Sequence, residues 1–204
     1  MYNVQSMPFA DLDVYQTSLA TEQGQPGAVD ASRLSAGTYK IDPAHTLVAW
    51  TVNHMGFSLL EGIFGASDGQ IVIDPNHPTE SLVEVSFAIK DLSVTTCAFA
   101  NHLRSADLFD AENFPVARFV STSVKPSGTD RATITGDLTI KGITRSVALD
   151  AAFVGVGQNP LSDKLNFGFA ATTTILRSEF DLGFLVPAVS DKVKLRINAA
   201  FSAE

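Results

Sequence analysis

Arg131-Ala132-Thr133-Ile134-Thr135-Gly136-Asp137-Leu138-Thr139-Ile140 is the stretch on which the fold turns. Ala132, Ile134, Gly136, Leu138 and Ile140 share one face, while Thr133, Thr135, Asp137 and Thr139 occupy the other. A period of two, apolar or small on one side and polar on the other, is the pattern of a strand with one dry and one wet face. Lys141-Gly142 interrupts the pattern and a second alternating run follows, which makes a tight strand–turn–strand. No helix start follows, so Gly136 and Gly142 signal a turn or close backbone approach rather than a phosphate cradle.

The same pattern recurs on both sides of this stretch. Val193, Leu195, Ile197, Ala199 and Phe201 alternate with Lys192, Lys194, Arg196, Asn198 and Ser202, and Val83, Val85, Phe87 and Ile89 alternate with Leu82, Glu84, Ser86 and Ala88. Counting all such runs predicts about eight strands, near 46–54, 62–74, 81–90, 116–125, 131–140, 143–155, 165–177 and 191–203. Asp74-Pro75-Asn76, Ser127-Gly128-Thr129-Asp130 and Gln158-Asn159-Pro160 mark turns between them. Residues 96–112 do not alternate and are expected to form a helix and loop inserted between strands. Strands of this length must hide their edges, and closure into an antiparallel barrel does so completely. The interior of an eight-stranded barrel is either just filled by side chains or wide enough for one slender ligand.

Residues 1–36 are expected to be a separate N-terminal extension, with the barrel domain over 37–204. Within the extension, Thr21 to Asp30 is rich in Gly, Pro and Gln, the composition of a linker, and Phe9, Leu12, Tyr15 and Leu19 fall near helical spacing. The sequence supports a short docked helix and a loosely attached tail equally.

Charge narrows the partners. The net charge is -8, from 14 Lys and Arg against 22 Asp and Glu, and no run of cations occurs. Nucleic acid is excluded as a main partner, because phosphate binding needs clustered cations. No stretch approaches the ~18 apolar residues of a membrane-spanning helix. The first cation is Arg33 and no apolar run precedes it, so the N-terminus as it stands is not a signal peptide, which leaves the cytoplasm open. Cys97 is the single cysteine and reads as a small half-buried hydrophobe. Of the four histidines, His45, His54, His77 and His102, none is paired at metal-binding spacing, so no metal is expected.

Several motifs in fixed order resemble one family. They are Tyr39-Lys40-Ile41-Asp42 with His45, Asn53-His54-Met55-Gly56-Phe57, Gly62-Ile63-Phe64, and His102-Leu103-Arg104-Ser105-Ala106-Asp107-Leu108-Phe109-Asp110 followed by Phe114-Pro115. Phe119 to Thr122, Gly136 to Ile140 with Gly142-Ile143-Thr144, Phe167 to Ala170, and Arg177 to Phe180 complete the set. From Gly37 to the C-terminus the chain resembles the YceI-like polyisoprenoid-binding proteins. The resemblance implies an all-β, eight-stranded antiparallel, lipocalin-like extended barrel with a hydrophobic pocket for a long-chain amphiphile. It also implies a homodimer and a periplasmic or secreted location. Where that family tends to carry an Arg-Asp pair before the HLRS stretch, this chain has Phe99-Ala100, which removes two charges near the expected pocket entrance.

Trp50, Phe64, Phe87, Phe119, Phe153, Phe167 and Phe169 are spread over several strands and are the expected pocket lining. Phenylalanine suits an interior that offers no hydrogen-bond partner, but a solid aromatic core would show the same composition. Leu47 to Val52 is apolar on both faces, so the side that Trp50 faces is left open. His54, His102, Arg104 and Arg177 are the polar candidates for a ligand head group; the bland alternative for Arg104 is an ion pair with Asp107 or Asp110.

The expected function is non-enzymatic binding, storage or transport of a long-chain amphiphile: a polyisoprenoid, an isoprenoid quinone or a fatty-acid derivative. No cofactor and no catalytic residue are expected. Two alternatives stand beside it: a stress-related protein-interaction module with a packed barrel, and a lipid-modifying enzyme using His54 or His102 with Asp107.

Overall fold

Each alternating run has one apolar half to hide, and a sheet closed on itself hides all of them together. The computed structural model describes residues 24–203. The helical spacing of Phe9, Leu12, Tyr15 and Leu19 lies outside the described residues. The strands are β1 (Gly37–Ile41), β2 (Leu47–His54), β3 (Ser58–Gly65), β4 (Asp68–Ile73), β5 (Leu82–Ala88), β6 (Val116–Pro126), β7 (Arg131–Ile140), β8 (Ile143–Gln158), β9 (Leu165–Leu176) and β10 (Lys192–Ser202). They pair antiparallel in the order β1-β4-β5-β6-β7-β8-β9-β10, and β10 returns to β1 through Lys40 opposite Ser202 and Ile41 opposite Phe201. β2 also pairs with β10, and β3 pairs with β2. β1 and β2 are therefore one interrupted barrel strand, and β3 and β4 another. The result is a closed eight-stranded antiparallel barrel, as the alternation predicts.

Both interruptions have local causes. Between β1 and β2, Pro43 has no N–H to donate to the ladder. The chain bulges there, and Thr46 Oγ1 reaches across to β10 and accepts the Ala200 N–H at 2.9 Å. The expected strand over 62–74 starts earlier, at Ser58, and is cut at Ala66 and Ser67, where the chain changes neighbours. Above the cut β3 is paired with β2, and its outer edge meets only a single bridge from Ile63 to Ser93. Below it β4 joins β1 and β5. The barrel wall thus splits between β3 and β5. The expected insert, α1 (Cys97–Arg104) and the turns after it, follows the segment that bridges the split. Thr96 caps α1 by accepting the Phe99 N–H at 3.2 Å, and Ala100 and Leu103 are buried. Cys97, read from sequence as half-buried, is exposed at the first position of the helix, where its side chain has left the inner face.

Two clusters divide the interior. The upper one gathers Trp50, Val52, Ile89, Leu103, Ile175 and Phe180 around the end where α1 sits. The lower one gathers Leu34, Tyr39, Ile41, Phe153, Val156, Phe167 and Phe201. A bulge in β8 between Phe153 and Gly155 advances the register by one, so that Phe153 and Val156 both reach the lower cluster. Residues assigned to the extension take part here: Leu34 is in the lower cluster, and Ala28 exchanges two backbone hydrogen bonds with Val156, at 3.0 and 2.9 Å. No described helix is long and apolar enough to cross a membrane.

Candidate functional site

Above the lower cluster the barrel is hollow. A cavity of about 500 Å³ runs up through the upper half, inside the range of roughly 300–1,000 Å³ typical of small-molecule sites. Inward positions on β2 to β10 form its sides, with Ile71, Val85, Phe169 and Phe201 toward the lower cluster. Phe99, His102 and Leu103 of α1, with Leu182, Phe184, Leu185 and Val189 of the β9–β10 loop, form the upper end. His54, His102, Thr173 and Arg177 are the polar side chains of an otherwise hydrophobic wall.

Close cross-strand packing helps keep the space open. Gly62 lies opposite Trp50 on the neighbouring strand, and a Cβ added there would stand 2.4 Å from the indole Cζ2. Likewise a Cβ on Gly136 would stand 2.4 Å from Cζ of Phe119. Each ring takes the space that a side chain on the glycine would fill. Ala117, Ala151, Ala171 and Ala199 add short side chains to the same wall.

The upper end is held by one buried cation. Arg177, only 7% exposed, stands at the close of β9 and gives its guanidinium N–H groups to four carbonyls of the β9–β10 loop. Nε donates to Ser190 O at 2.9 Å, Nη2 to Val189 O at 2.9 Å, and Nη1 to Phe184 O at 2.9 Å and to Leu182 O. Burial pushes its pKa down from the ordinary value, against the nearby Asp191, which holds it up; a guanidinium stays protonated regardless. Asp191 closes the same loop by accepting Ser178 Oγ–H at 2.7 Å and Ser178 N–H at 2.8 Å. The hydroxyl bond first, then the backbone bond and Arg177, hold its carboxyl below the usual carboxylate range, against its slight burial.

Eight of the eleven residues singled out from sequence meet at this cavity: Trp50, His54, Phe64, Phe87, His102, Phe119, Phe169 and Arg177. Trp50, whose side the sequence left open, faces inward and is buried. Three fall outside the wall. Phe153 and Phe167 point inward but lie one layer lower, in the packed floor, where Phe167 stacks on Phe201 with centroids 5.5 Å apart. Arg104 follows the buried Leu103 and is turned by one helical step, so its Nη2 donates to Leu92 O at 2.6 Å. That contact staples α1 to the segment before it, and neither Asp107 nor Asp110 is its partner. His102 packs edge-to-face on Phe184, with centroids 5.3 Å apart. His45 and His77 pair locally with Asp42 and Asp74, and the described residues include no cluster of three or more potential metal ligands.

Sequence reading missed the loop residues Leu182, Phe184, Leu185 and Val189, which do not alternate. Their signal was a run of nine uncharged residues, Leu182 to Ser190, between two strands and too long for a hairpin turn. Phe99, noted only as a departure from the family pattern, is itself part of the wall.

The fold and sequence both have close counterparts. A UPF0312 protein of Pseudomonas putida (strain W619) is 36% identical over 156 residues, covering 76% of this chain and 81% of that protein. The crystal structure of BcnA from Burkholderia cenocepacia superposes with a TM-score of 0.67 at 24% identity, covering 78% of this chain and 98% of BcnA. A polyisoprenoid binding domain from Saccharophagus degradans superposes with a TM-score of 0.61 at 12% identity, covering 81% of this chain and 98% of that domain. The YceI-like domain model matches residues 39–201, which span the barrel from β1 to β10. The chain belongs to the YceI-like family.

Proposed function

We propose that the barrel binds one long-chain amphiphile, a polyisoprenoid, an isoprenoid quinone or a fatty-acid derivative, and stores or carries it without altering it. The tail occupies the lumen, and the polar end lies near His54, His102 and Arg177. One observation carries this reading: the cavity of about 500 Å³ is walled almost wholly by hydrocarbon. Empty, such a space forfeits dispersion contacts that an alkyl chain restores. Each methylene moved from water into it contributes ~0.8 kcal/mol, so a tail of about ten carbons or more offsets the ~4–15 kcal/mol cost of association. Apolar contact is not directional, so the lumen selects length and shape more than chemistry.

The family supports the same class of ligand, and the Saccharophagus degradans domain is a protein of this fold described as polyisoprenoid binding. The resemblance extends the proposal to a homodimer in the periplasm or outside the cell. No metal or cofactor enters the scheme.

Titration of the delipidated protein with a C20 prenol tests the reading, because the sole tryptophan, Trp50, lies in the wall and reports occupancy by its emission. A saturable, one-to-one change is expected for the wild type. It should be lost in the lumen-filling variant Ala171→Leu/Ala199→Leu, which remains folded at a cost of about 1–3 kcal/mol per site. No saturable uptake by the wild type, or equal uptake by the filled variant, would overturn it.

A further inference from the structure

The hairpin tip between β2 and β3 and the loop between β9 and β10 hold each other. Met55 N–H donates to Ala188 O at 3.0 Å, Ser190 N–H donates to Asn53 O at 2.9 Å, and His54 forms a bridge with Val189. Both loops turn large apolar side chains to the outside. Phe57 is 82% exposed and Leu59 55%, with Met55 beside them; Phe184, Leu185 and Val186 are exposed on the other loop. From Trp50 to Leu60 and from Leu182 to Ser190 the sequence holds no Asp, Glu, Lys or Arg, although 18% of the chain is charged. Neighbouring apolar side chains exposed in this way mark an interaction site.

Phe184 and Leu185 are exposed and also line the cavity, so the outer rim and the lumen wall form one continuous apolar surface. We infer that this rim is a membrane-docking surface, which dips into the interface of a zwitterionic bilayer so that the cargo moves between bilayer and lumen without crossing water. The inference rests on the lipid-binding reading of the cavity. Each methylene exposed to water lowers a lipid's aqueous concentration roughly fourfold, so the molecules that suit the lumen exchange poorly through solution. A second copy of the chain seated on the rim would close the upper end, whereas a bilayer opens it to a reservoir of cargo. The net charge of -8 and the uncharged loops point to a bilayer without net negative charge.

Flotation with phosphatidylcholine vesicles, and with vesicles in which a third of the lipid is phosphatidylglycerol, tests this. The wild type is expected to float with phosphatidylcholine and no better with the anionic vesicles. Phe57→Glu and Leu59→Glu lie outside the cavity wall, and each should lower co-flotation on the order of tenfold or more. Phe57→Trp should retain it and show a blue shift in emission on vesicle binding. All three variants should bind a C20 prenol delivered from ethanol as the wild type does. Prenol binding by every form, with wild-type flotation absent or unchanged in Phe57→Glu, overturns the docking surface and leaves the cavity reading standing. Prenol binding by none overturns the cavity reading on which the inference depends. Conversion of a dimer to a monomer by Phe57→Glu in sedimentation, with flotation unchanged, makes the rim a contact between copies and overturns the inference.

Discussion

At the bottom of the barrel Tyr39 meets Phe167 edge-on at 4.9 Å, Phe167 stacks on Phe201 at 5.5 Å, and Phe153 leans on Phe169 at 5.4 Å. In the upper half Trp50 lies over Gly62 and Phe119 over Gly136. Both halves come from the same alternating strands and use the same aromatic residues. What differs is the partner. The rings of the lower half pack against one another and fill the space between strands, whereas Trp50 and Phe119 sit in the gaps that Gly62 and Gly136 leave in the wall. The lower half is therefore a plug that holds the barrel shut, and the upper half is a lumen. Stability should be concentrated in the first and ligand binding in the second, and substitutions can separate them.

The largest expected effect is on the plug. Phe167→Ala removes a ring that is 3% exposed and outside the cavity wall. It should cost about 3–5 kcal/mol in denaturant unfolding, while folded protein still takes up prenol. Equal loss of binding and stability would erase the distinction between the halves. Next comes Gly62→Ala, whose methyl would collide with the Trp50 ring and the Val94 side chain. It should cost about 1–3 kcal/mol, shift the emission of Trp50, and weaken prenol binding by driving the ring into the lumen. Binding that survives with unaltered emission would show that the glycine does not set the ring's position.

Arg177→Met strips four carbonyls of their donor at the upper end. A loss of about 1–3 kcal/mol is expected, together with proteolytic cleavage between 182 and 190 in a protein whose plug is intact. Cleavage at sites in the lower half instead would show that Arg177 holds the whole barrel and not its upper end alone. The smallest effect is that of acid. The pKa of Asp191 is lowered in the folded state, so its contribution is complete above the unfolded value of about 3.9 and is lost as the pH falls through the lower folded value. Protease sensitivity of the 178–191 loop should rise as the pH falls below about 4. In Ser178→Ala, which lacks the hydroxyl bond that contributes most to the lowering, the acid-dependent rise should be smaller.

The plug and the sides of the lumen were legible in the sequence because both follow from alternation. The face chosen for Ile134, Leu138 and Ile140 is the face that lines the cavity. Which rings are floor and which are wall was not legible. Phe167 and Phe169 differ by two residues on one strand and share a face; Phe167 lies opposite Phe201 and edge-on to Tyr39, whereas Phe169 lies opposite the small Ala199 and borders the cavity. The glycines of the 62 and 136 positions were visible, but a glycine read along the chain does not reveal the ring across the strand. Arg104 was misplaced because one residue along a helix turns a side chain by about 100°, enough to move it from the wall to Leu92. The β9–β10 loop has no period to reveal it, and its one signal in the sequence is the long absence of charge from Leu182 to Ser190. The packed-barrel alternative required an interior filled along its length, and the upper half is not filled.

Whether the lumen holds a lipid is decided by native mass spectrometry of protein purified without delipidation. A species heavier than the 21.7 kDa polypeptide by the mass of a single long-chain amphiphile is expected, and the Ala171→Leu/Ala199→Leu variant should lack it. A spectrum holding the bare polypeptide alone, before and after incubation with a C20 prenol, would contradict the lipid-binding reading.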